Sequence, residues 1–67
     1  MSSIYRSIAR ESRLARCASA LATQAASKLS SAPAKERYAL LAVARDFDRR
    51  AAEHYDNVNT LRRYAAE

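Results

Sequence analysis

Sixty-seven residues allow one small domain at most, because chains of this size bury only about 60% of the surface that the unfolded chain exposes. Glycine is absent, proline occurs once and sixteen residues are alanine, a composition that suits long helices and lacks the turn residues of a β-hairpin sheet. The net charge of +5 is unevenly spread: residues 1–33 hold five basic groups and only Glu11 as an acid, whereas residues 34–67 hold seven basic and six acidic groups. Large apolar side chains are too few to wall an enzyme pocket on all sides, so the reading is of a non-enzymatic protein.

The first element predicted is a helix over about residues 3–29. Ile4, Ile8, Glu11, Ala15, Ala18, Ala22, Ala25 and Leu29 recur at alternating steps of four and three, which places them on one stripe, with Leu14 and Leu21 beside it. Arg6, Arg10, Arg13 and Arg16 recur at steps of four, three and three on the outward side. The same stretch is Arg-rich, Ser-rich and poor in acids, as organelle presequences are, yet its pattern continues into the body of the helix. It also has the form of a basic amphipathic helix, but its apolar stripe is already needed for folding and holds no Trp or Phe anchor, which argues against membrane action.

The one strong break follows. Pro33, with Ser30 and Ser31 before it as possible caps, marks a turn over about residues 30–33, and a second helix is predicted over about 34–64. In this helix Leu40, Phe47, His54 and Leu61 recur every seven residues, with Ala44, Ala51, Val58 and Ala65 four later. Asp46 with Arg50 and Arg49 with Glu53 have the spacing of helix-surface ion pairs. The longest apolar run, residues 38–44, is seven long, far short of the roughly 18 needed to span a bilayer.

Two rods of comparable length joined by a few residues fold back as an antiparallel hairpin, so the fold class is all-α, a coiled-coil-like single domain over 1–67. Facing positions then sum to about 65 or 66. Leu29 faces Arg37, Ala25 faces Leu40, Ala22 faces Ala44 and Ala18 faces Phe47. Further out, Ala15 faces Ala51, Ile8 faces Val58 and Ile4 faces Leu61. Glu11 and His54, the only acid on the first stripe and the only histidine in the chain, share one layer as a structural polar pair. Tyr5 and Tyr64 are expected to cap the core at the open end.

A lone hairpin shields each helix on one side only, so completion to a four-helix bundle by a homodimer is expected, through Leu14, Cys17 and Leu21 with Ala39, Ala42 and Val43. Tyr38, Leu41 and Tyr55 form a candidate surface for a protein partner, tyrosine being a favoured anchor. Arg6, Arg10, Arg13 and Arg16 form a candidate surface for phosphates, and a basic nucleic-acid-binding hairpin is the alternative function. Cys17 is read as a small apolar residue: a single cysteine forms no internal disulfide, which fits a reducing cytoplasm, and His54 lies too far along the hairpin to make a dyad with it. Without glycine no phosphate-cradling loop exists, and the Glu-x-x-His pairs of di-metal bundles are missing, so no cofactor or metal is expected.

Ser31, Pro33, Arg37, Leu40, Leu41, Ala44, Phe47, Asp48 and Ala51, with a looser match at Arg10, Leu14 and Ala15, resemble short bacterial Ala/Arg-rich helical-hairpin proteins of uncharacterised function. The resemblance implies a fold and no activity. In architecture alone the hairpin is similar to the small Rop-type RNA-binding dimers, with no shared residue motif.

Overall fold

A computed structural model describes the backbone of residues 2–66 and the side chains of residues 3–66, and it is an all-α hairpin. Helix α1 spans Ser2–Ser27 and helix α2 spans Ala34–Ala66. They lie side by side in a rod whose Cα extents are 51 × 13 × 12 Å. Both stripes face inward: every described seam residue named above, apart from Arg37, is buried or half-buried.

Alanine decides the geometry of the contact. Among the described residues the buried set is Ala15, Ala18, Ala22, Ala25, Ala44, Ala51 and Val58, of which Ala15 has no exposed surface. Side chains this small let two backbones approach, while Ile4, Ile8, Leu40, Phe47 and Leu61 fill the seam only as half-buried residues. No Leu, Ile or Phe is fully buried among the described residues.

The connection begins earlier than the sequence suggests and is two residues longer, spanning 28–33. α1 ends at Ser27 because the amides of Lys28 and Leu29 bond to the carbonyls of Ala25 and Ala26, three residues back, which narrows the last turn. The Ser27 hydroxyl donates to the Gln24 carbonyl at 2.7 Å and the Ser31 hydroxyl reaches the Lys28 carbonyl at 3.4 Å, so Ser31 serves the end of α1 and does not cap α2. Pro33 stands just before α2, and its carbonyl accepts from the Glu36 and Arg37 amides. Its missing amide therefore has no helical bond to forfeit. Arg37, facing Leu29 in the register, sends its Nε to the Ala32 carbonyl at 3.1 Å and ties the turn to α2. α2 runs two residues past the expected end, with Glu36 in its first turn and Arg63 in its last, signs that suit the helix dipole.

Two expectations are corrected. Tyr5 and Tyr64 remain 63% and 65% exposed and do not cap the open end, because the seam there is already filled by Ile4 and Leu61. Arg49 pairs with Asp46 Oδ1 at 2.6 Å in place of Glu53, and Arg50 takes Asp46 Oδ2 at 2.9 Å, so one carboxylate holds both arginines.

The small seam makes a direct prediction. Ala15, with no exposed surface, has no room for a larger side chain. Ala15→Leu is expected to destabilise the hairpin by about 1–3 kcal/mol through overpacking, whereas Ala20→Leu on the exposed side of α1 should leave the thermal midpoint nearly unchanged. Thermal unfolding followed by circular dichroism checks both.

Candidate functional site

The polar layer forms as the register requires. His54 Nδ1 donates to Glu11 Oε2 across the seam, and both side chains are partly buried between the layers of Ile8 with Val58 and Ala15 with Ala51. The hydrogen bond from His54 is the main reason the Glu11 carboxyl lies below its ordinary value of 4.5. Burial opposes that shift, while the His54 charge, the Asn57 side chain and Arg10 reinforce it. A notch of about 270 Å³ opens beside this layer, lined by Ser7, Arg10, Glu11, Asn57, Thr60 and Leu61.

Neither residue is joined to a nucleophile. Cys17 is exposed, six residues beyond Glu11 and so about 9 Å further along the axis. Among the described residues no group of three His, Cys, Asp or Glu side chains is arranged to hold a metal ion. No helix among them is long and apolar enough to cross a membrane.

The tyrosine surface is only partly one place. Tyr38, 84% exposed, and Leu41 line a groove of about 500 Å³ beside the turn, together with Leu29, Ser30, Ala34 and Arg37. Tyr55 lies fourteen residues past Leu41, about 21 Å along α2, and is not part of that groove. The seven-residue spacing that sets Leu41 and Tyr55 on one flank does not bring them together.

The opposite flank carries a short aliphatic patch at mid-length. Leu14 and Leu21 on α1 and Val43 on α2 are 41%, 43% and 43% exposed, half covered by the seam and half open. A second groove of about 490 Å³, near the turn, is lined by Ala39, Leu40 and Val43 with Lys28, Pro33 and Glu36 around them, and extends this patch. Ala42 shares its notch with Arg45, Asp46 and Arg49 and so stands outside it. Arg6, Arg10, Arg13 and Arg16 are all exposed, and none makes an ion pair among the described residues.

Fold and surface together define a small antiparallel helical hairpin with one polar layer, one half-open aliphatic flank and one arginine edge. Comparison with protein-family models, curated proteins and solved structures finds no match to this chain.

A carboxyl whose folded pKa lies below its unfolded value contributes stability above that value and loses it as pH falls through the folded one. Stability is therefore expected to decline on acidification below 4.5, and Glu11→Gln should flatten that decline. Denaturant midpoints taken well above and well below that pH, for both chains, check the sign. Combined with His54→Gln, Glu11→Gln is expected to show coupling, the double variant losing less than the two single losses added.

Proposed function

We propose that this chain is a non-enzymatic protein-interaction module that self-associates, completing its core as a four-helix bundle and offering its remaining surface to a protein partner. One observation carries the reading. The residues hidden inside are six alanines and one valine, while Leu14, Leu21 and Val43 form an aliphatic stripe that the hairpin cannot cover with its own residues. Two packed helices expose too much of each rod to supply a sufficient core at this length, and a second copy is the symmetric remedy.

The groove beside the turn supports a role for further protein contact. Tyr38 projects from it almost fully exposed next to Leu41, the pairing of an aromatic anchor with an aliphatic floor that protein interfaces favour. No catalytic group or cofactor enters this reading.

A second reading has an observation of its own. Arg6, Arg10, Arg13 and Arg16 stand exposed along α1 without an ion pair among the described residues, as a surface that neutralises phosphates would require. Such a surface binds by counterion release and weakens steeply as salt rises, with no reading of bases.

Sedimentation equilibrium tests the first reading. A mass twice 7.5 kDa, with a thermal midpoint that rises with protein concentration, is expected. A folded monomer whose midpoint ignores concentration would overturn it. For the second reading, retention on a DNA or RNA column should fall with salt and vanish when Arg6, Arg13 and Arg16 are changed together to Gln. Equal retention by that variant would exclude the arginine edge.

A further inference from the structure

Self-association alone does not say which flank the second copy covers or in which direction it runs. Building on the self-association reading above, we infer that the second copy stacks on the Leu14, Leu21 and Val43 flank with both turns at the same end, so that α1 of each chain lies against α2 of the other.

The flank follows from what each side of the seam presents. Ser7, Leu14, Leu21 and Lys28 on α1 share a seven-residue interval, as do Glu36, Val43, Arg50 and Asn57 on α2. Shared linings agree, since Lys28, Glu36 and Val43 border one groove and Ser7 and Asn57 border another. Leu21 comes level with Val43, and Leu14 comes level with Arg50. That arginine is partly compensated: it shares Asp46 with Arg49, and its guanidinium lies 5.5 Å from the centre of the Phe47 ring. The middle of the flank thus has two leucines, a valine and a partly compensated arginine. The other flank sets Tyr5, Ser12, Ser19 and Ala26 against Leu41, Asp48, Tyr55 and Arg62, so its apolar members are interrupted at mid-length by serines and by two charges that make no ion pair among the described residues.

Two symmetric arrangements place this flank on itself. With the turns at opposite ends, α1 meets the partner's α1. With the turns at the same end, α1 meets the partner's α2. Charge separates them. Residues 10–16 carry Arg10, Arg13 and Arg16, and their one acid, Glu11, is held by His54. Residues 46–56 carry Asp46, Asp48, Glu53 and Asp56 against Arg49 and Arg50. Both of those arginines turn onto Asp46, so Asp48, Glu53 and Asp56 make no ion pair among the described residues. In the register of the hairpin, residues 10–16 stand level with this acidic stretch. Arg10 and Glu53 stand four residues before the flank positions Leu14 and Asn57 and so border this flank, and the same-end arrangement brings Arg10 beside Glu53 of the partner copy. The opposite-end arrangement lays α1 on α1 and α2 on α2, which separates Arg10 from the partner copy's Glu53 and leaves both without a counter-charge across the flank, and this disfavours it.

Area is sufficient. A stable dimer buries roughly 800 Å² on each partner. One long side of a 51 Å rod with 5214 Å² of surface can supply that.

Ser31 borders the groove on this flank at the turn, and it reads the direction. A Cys17→Ser, Ser31→Cys chain labelled with pyrene should give excimer emission as well as a dimer mass, since same-end stacking brings the two turns together. A dimer without excimer emission would overturn the direction while leaving self-association intact. A folded monomer would overturn both. For the flank, Leu21→Glu should abolish the dimer and Tyr55→Glu should not, and the reverse result would overturn the assignment. Because Leu21→Glu can also unfold the chain, a charge swap gives a gentler readout. Arg10→Glu should weaken dimerisation by roughly fivefold, and Glu53→Arg added to it should restore affinity. No loss, or no restoration, would overturn the same-end pairing.

Discussion

Alanine at the buried positions of both helices lets α1 and α2 lie close along most of their length, and the same small side chains leave nothing bulky to hide. Close approach brings Glu11 within reach of His54. Leu14, Leu21 and Val43, each one residue before a buried alanine, stand on a flank and stay more than two-fifths exposed, because a seam of alanines has no depth in which to take them up. Interior and surface are therefore one problem in this hairpin. In the proposed self-association, the copy that covers the aliphatic flank would complete the fold, and stability would then rise with concentration by mass action.

The polar layer limits how the two helices can slide. A shift by one heptad would set Glu11 opposite Phe47 or Leu61 and His54 opposite Ile4 or Ala18, leaving a carboxylate against apolar surface with no donor. The alanine layers alone discriminate poorly, since one Ala–Ala step resembles the next. One hydrogen-bonded pair thus gives a repetitive seam a single register, and that register aligns Leu21 with Val43 and the arginines of α1 with the acids of α2. The proposed surface inherits its layout from a contact that lies outside it.

Much of this was legible because helical spacing is a strong signal over rods of this length. The steps of four and three from Ile4 to Leu29 and from Leu40 to Ala65 locate both seams, and Pro33 locates the break. The Glu11–His54 contact follows from symmetry about that break. Legibility fails where a choice is made between neighbours of equal standing. Arg49 has an acid three residues before it and another four after, and spacing alone does not tell that Asp46 takes it. Ser31 is as good a cap for α2 by composition as it is a donor to the end of α1. Tyr5 and Tyr64 sit at the open end, but only coordinates show that Ile4 and Leu61 leave them nothing to cover. Tyr55 shares a flank with Leu41 in the heptad, although its distance along the rod separates them.

The turn holds a last consequence. Among the described residues none adopts a positive φ, so the reversal is made from right-handed and extended backbone alone. Such a loop lies near the conformations of a continuous helix, which would let two chains straighten and exchange their second halves in a domain-swapped dimer. Pro33 stands against that outcome. In a straightened chain it would sit inside a helix, where its ring clashes with the carbonyl four residues back and a hydrogen bond is lost, at about 3 kcal/mol for each chain. Just before α2 it incurs neither penalty. A single proline, in a sequence without glycine, thereby keeps each hairpin closed on itself.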